Sequence, residues 1–144
     1  MRSPEEFLPA YQTAVWEKDV EAFTALFSPD IHVFDMWGRW SFEGLPAWKE
    51  MAKGWLGSLD ADRVQVEFQD THLETSDNIA WLTTTVTFRA VDPEGKELRS
   101  LQERMTSVIR RKDGDWKVVH GHHSGPIDHS TMKVILKKDQ GSGT

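Results

Sequence analysis

The spacing of turn signals in the second half of the chain most constrains what it can fold into. Between Arg63 and Ser124, three polar turns separate four segments rich in β-branched and aromatic residues: Ser76-Asp77-Asn78, Asp92-Pro93-Glu94-Gly95 and Asp113-Gly114. Asp-Gly between apolar alternations is a strong hairpin signal, because both central residues of the tight turn need positive φ. Connections this short leave no room for a crossover helix, so consecutive strands run antiparallel. The segments Arg63 to Leu73, Ile79 to Val91, Leu98 to Arg111 and Trp116 to Ser124 therefore predict a meander.

The first half reads differently. Ser3, Pro4 and Glu6 supply an N-cap, a first-turn proline and a capping-box partner, and Phe7, Tyr11 and Val15 follow at four-residue spacing. Lys18-Asp19 breaks this helix, and Asp19 caps a short second one that runs Val20, Phe23, Leu26, Phe27 inward and ends at Pro29. Ile31 to Trp37 reads as a strand in which Ile31, Val33, Asp35 and Trp37 share a face, so a carboxylate sits in an apolar row. Gly44-Leu45-Pro46 opens a third helix with Trp48, Met51, Ala52, Trp55, Leu56 and Leu59 on its apolar side. Helices first and a meander after them predict an α+β fold, with three N-terminal helices covering one face of a curved antiparallel sheet.

At 144 residues the chain, 1–144, is read as one domain. The formal charge of −6 argues against a nucleic-acid partner, whose phosphates are held by Lys and Arg. The basic run from Lys133 to Lys138 is short enough to be a solvated tail. Cysteine is absent, which removes disulfides and thiolate chemistry and fits a cytoplasmic location. The opening M-R-S-P-E-E has no apolar signal core, and no stretch approaches the roughly 18 apolar residues of a membrane span. Residues 1–3 and 139–144, with the closing Gly141-Ser142-Gly143-Thr144, read as flexible.

Three stretches carry a resemblance: K-D-V-E-A-F-T-A-L-F-S-P-D at 18–30, F-D-M-W-G at 34–38, and R-R-K-D-G-D-W-K-V-V-H-G-H-H-S-G-P-I-D at 110–128. They are similar to the nuclear transport factor 2-like superfamily, to its SnoaL-like and ketosteroid isomerase-like members, and to the association domain of calcium/calmodulin-dependent protein kinase II. The resemblance implies a cone-shaped sheet around a cavity. It matches Asp35 to the isomerases' carboxylate base and Tyr11 to the phenol that donates to the substrate oxygen. The isomerases' third group, a protonated aspartate on the penultimate strand, finds no acid in Met105-Thr106-Ser107-Val108, so the same steroid chemistry is not expected.

The residues themselves support part of this. Asp35 among Val33, Phe34, Met36 and Trp37 is the kind of desolvated carboxylate that a general base requires. In H-G-H-H, strict alternation places Trp116, Val118, His120 and His122 on one side and Val119, Gly121 and His123 on the other. His120 and His122 form a weak metal-ligand pair that needs a third ligand, for which His32, His72 and His129 are candidates by composition with no spacing to select one. His123, beside Gly121, has room to meet a ligand as acid, base or anion partner. Ala80, Leu82, Thr84, Val86 and Phe88 form the core row of their strand. Leu82, Thr84 and Val86, with Gly121 beside His123, are the expected pocket lining, and the resemblance to the association domain implies Trp48 and Ser107 there as well, while the opposite row, Trp81, Thr83, Thr85, Thr87 and Arg89, suits a subunit interface.

Two functions follow as expectations. One is an enzyme with Asp35, His123 and Tyr11 as catalytic groups and no cofactor, acting by acid–base chemistry on a small hydrophobic carbonyl or polycyclic substrate, as an isomerase, dehydratase or cyclase would. The other is a non-catalytic ligand-binding or oligomerisation module. Both take a small molecule and form a homodimer.

Overall fold

The computed structural model describes residues 1–140; the reading of 141–144 as a flexible end lies outside the described residues. A 3-10 turn at Pro4–Glu6 leads into α1 (Phe7–Trp16), followed by α2 (Val20–Thr24), β1 (Phe27–Phe34), β2 (Phe42–Glu43) and α3 (Leu45–Gly57). The meander is β3 (Arg63–Thr75), β4 (Ile79–Val91), β5 (Glu97–Lys112) and β6 (Asp115–Ser124). The six strands form one sheet in the order β2-β1-β6-β5-β4-β3.

Local chemistry explains most of these boundaries. The Glu6 carboxylate accepts from the Ser3 backbone N–H at 2.8 Å, the return half of a capping box. Lys18 takes a positive φ of 56° at the end of α1, and the Asp19 side chain accepts from the Ala22 N–H to start α2. Asp113 and Gly114 both have positive φ, as the tight hairpin between β5 and β6 requires.

Three expectations are corrected. The sheet is mixed rather than wholly antiparallel, because β1 lies parallel to β6. The second helix stops at Thr24, and the chain is already extended at Phe27. Pro29, read as a helix terminator, sits instead where the β1–β6 register breaks between Phe27 and His32, a place that tolerates a missing N–H. The third correction concerns β6. Its register with β5 jumps from Val108↔His120 to Ile109↔Val118, leaving Val119 as an extra residue. This bulge resets the alternation, so Trp116 and Val118 are buried on the same side as Gly121 and His123. The first residues are also anchored, since the Trp116 N–H donates to the Met1 carbonyl at 2.8 Å.

The core lies between the helices and the inner face of the sheet. Phe7, Tyr11, Phe23, Phe27 and Trp48 stack edge to face or tilted, with ring centroids 5.0–6.2 Å apart. Ala80, Leu82, Thr84 and Val86 of β4 are buried beneath them, as alternation required. No helix among the described residues is long and apolar enough to cross a membrane.

Candidate active site

Three neighbouring strands deliver three titratable side chains to one point. Val33 pairs with Gly121 and Phe34 with His122, so Asp35, one residue past the end of β1, comes beside His123 on β6. On the other side of β6, His123 pairs with Met105 of β5. Glu103, two residues before Met105, therefore lies on the same inner face. Ligand-type atoms of Asp35, Glu103 and His123 all fall within 4.8 Å of one another.

The three are wired together. His123 Nδ1 lies 3.0 Å from Glu103 Oε1, and both side chains are buried. The indole N–H of Trp37 donates to the other carboxylate oxygen, Oε2, at 2.9 Å. A carboxylate only accepts, so Glu103 fixes the proton on His123 Nδ1 and leaves Nε2 as the nitrogen that exchanges. Burial raises the Asp35 carboxyl above its ordinary value of 3.8; the Glu103 charge adds to the rise, while His123 and the Met36 N–H oppose it. Tyr11 is only 3 % exposed, and burial first, then Glu103 and Asp35, hold its phenol far above its usual range. Its hydroxyl stays protonated and can donate a hydrogen bond to a ligand oxygen.

These groups border a cavity of about 520 Å³ whose apolar wall includes Phe42, Trp48, Met51, Trp55, Phe88 and Leu136. The size suits a small ring system. A larger cavity of about 710 Å³ runs under the C-terminal segment between Ser124 and Lys138 and shares Glu103 with the first. The convergence of Asp35, Glu103 and His123 belongs to the smaller one.

Asp35, His123, Tyr11 and Trp48 all border the cavity. Leu82, Val86 and Ser107 are instead fully buried in the core, as is Thr84, whose hydroxyl is bonded to Thr71 at 2.8 Å and to the Gln69 carbonyl at 3.0 Å. Gly121 packs toward Val33. None of these five lines the cavity. His120 and His122 lie on the outer face, where His120 stacks on His32 with ring centroids 5.1 Å apart and Phe34 meets both. The only His/carboxylate trio with metal-binding spacing among the described residues is Asp35, Glu103 and His123.

Glu103 is the residue that sequence reasoning missed. The stretch compared with the isomerases' third acid began at Met105, two residues too late. Extending the inward parity of Ile109, Ser107 and Met105 by one more step reaches it.

Residues 5–128 match the profile of the SnoaL-like domain. The chain belongs to the SnoaL-like family. No curated protein matches it. Among solved structures, the SnoaL-like chain superposes on an NTF2-like protein of unknown function from Pseudomonas putida KT2440 with a TM-score of 0.80 at 22% identity, covering 92% of this chain and 91% of that one. It is also similar to a protein from Xanthomonas campestris described as a calcium/calmodulin-dependent protein kinase II association domain (TM-score 0.70, 17% identity, 83% of each chain). An NTF2-like superfamily protein from Salmonella enterica matches at TM-score 0.66 and 19% identity, over 88% of the SnoaL-like chain and 90% of its own. At these identities the likeness carries the fold alone.

Proposed function

We propose that the protein is an acid–base enzyme that moves a proton on a small hydrophobic carbonyl compound. The observation that carries this is the convergence of Asp35 with the Glu103–His123 pair at one end of an aromatic-walled cavity. Asp35 removes a proton from the carbon next to the carbonyl. The C–H electron pair becomes the C=C bond of an enolate, and the charge moves to oxygen. Tyr11, held protonated, donates to that oxygen. The proton then returns to carbon from Asp35, or passes from Asp35 to the bare Nε2 of His123, whose ring Glu103 holds in one tautomer, and from Nε2 to another position on the substrate. Both Glu103 oxygens are already engaged, by His123 and by Trp37, which suits an orienting role.

The test is exchange of the α-hydrogens of 2-tetralone in D₂O, followed by proton NMR. Wild type is expected to accelerate exchange, and Asp35→Asn to lose about 100-fold of that acceleration, the low end for a general base. Exchange as fast in Asp35→Asn as in wild type sinks the assignment.

A second reading, an assembly module, draws support from the outer face, where Trp81 of β4 is 44% exposed and pairs across to Val108 of β5. Homodimerisation through this face is compatible with either activity.

A further inference from the structure

Trp48 carries an oddity that the catalytic assignment does not use. Its side chain is 3% exposed, and its indole Nε1 is the only fully buried side-chain polar atom among the described residues without a hydrogen-bond partner. Buried donors are almost always satisfied, so a solitary exception in a cavity wall calls for an acceptor. The surrounding packing supplies none. Phe23, Phe27 and Phe42 lie around the indole with centroids at 6.2, 5.8 and 5.3 Å, and His123 at 6.5 Å completes the set. Trp48 and His123 both border the cavity, so a ligand seated there packs against this indole.

Tyr11 offers a second donor. Its hydroxyl, on the same cavity, has no hydrogen-bond partner among the described residues, and the phenol is held protonated. Two neutral donors and one carboxylate make a site matched to a neutral oxygen acceptor beside an acidic C–H.

We infer that the Trp48 indole N–H is a ligand-binding donor, which with the Tyr11 hydroxyl grips the carbonyl oxygen of the substrate. This rests on the carbonyl reading above and adds a specificity-determining residue to it: the cavity selects apolar ring compounds that carry an oxygen acceptor over the same shapes without one.

The experiment reads binding and not turnover, so its outcome is separate from that of the exchange assay. The probes are 2-acetylnaphthalene and 2-isopropenylnaphthalene, nearly isosteric molecules that differ by a carbonyl oxygen in place of a CH₂. Wild type is expected to bind the ketone about fivefold tighter, the range of one or two net hydrogen bonds. Trp48→Phe keeps an aromatic ring but removes the donor, and is expected to narrow that ratio to about half or less of its wild-type value. A parallel measurement on the wild-type protein covers the case of a poorly folding variant. With indole-¹⁵N tryptophan, the Trp48 N–H signal, assigned through its NOEs to the Phe42 and His123 rings, is expected to shift downfield on adding the ketone and not the alkene. An unchanged ratio in Trp48→Phe, a Trp48 signal that ignores the ketone, or no ketone binding up to millimolar concentration each overturns the inference. Slow or absent deuterium exchange with the ketone-specific shift intact would remove the catalytic reading and leave this one standing.

Discussion

Asp35 is a carboxylate that the fold holds at a cost. Burial raises its carboxyl above the ordinary 3.8, so its charged form is less favourable in the native protein than in the unfolded chain. The sign follows from linkage. A raised native value means a contribution to stability that is fully present below the unfolded value and is lost as pH rises through the native one. Asparagine does not titrate, so Asp35→Asn is expected to raise the melting temperature at neutral pH. The gap should close as the pH falls below about 3.8. Calorimetric melts of the two proteins across that range check this, and a gap that stays constant with pH would dissociate the residue from the titration. Such a trade of stability for a desolvated carboxylate is what the proposed acid–base role requires. The sequence showed Asp35 in an apolar row but not its companions, because Glu103 and His123 meet it only through pairing of β1 with β6 and β6 with β5.

At the scale of the element, the extra residue at Val119 determines what the histidine cluster can do. Without the bulge, the burial of Trp116 and Val118 would bring His120 and His122 inward and send His123 outward. The element that follows, from Gly125 to Gln140, leaves β6 and returns to β5, where the Gln102 N–H donates to the Leu136 carbonyl at 2.6 Å and Leu136 lines the cavity. Gly125 makes that return possible. A Cβ there would stand 2.7 Å from Val134 Cγ2 and 3.1 Å from the Ile135 carbonyl oxygen, closer than packing allows. Gly125→Ala is therefore expected to cost about 1–3 kcal/mol in urea unfolding, the range for overpacking, and to loosen probe binding as Leu136 moves. An unchanged unfolding midpoint would mean the segment adjusts freely. The turns and strand extents of the meander were legible in the sequence because they depend on local φ and on two-residue periodicity. The bulge was not, since one extra residue leaves no local signature and is visible only against the partner strand.

For the whole molecule, the outer sheet face is the feature left over once the inner one is filled. Trp81 stands there beside half-buried Thr83 and Thr85, in register with Val108, Thr106 and Arg104 of β5. A large aromatic at the centre of such a patch is the usual anchor of a protein interface. If the homodimer forms through this face, Trp81→Glu should convert it to monomer in sedimentation velocity without changing the far-UV spectrum. A Trp81→Glu dimer as tight as wild type would place the interface elsewhere. The sequence by itself determined the α+β class, the antiparallel meander, the helix caps and the apolar face of each element, because these follow from turn chemistry and periodicity along a few consecutive residues. Only the tertiary structure decided which strands lie side by side, that β1 runs parallel to β6, that a bulge turns His123 inward, and that Glu103 completes the cluster. Those outcomes depend on contacts between residues as far apart in the chain as Asp35 and His123, and no local rule reaches across that separation.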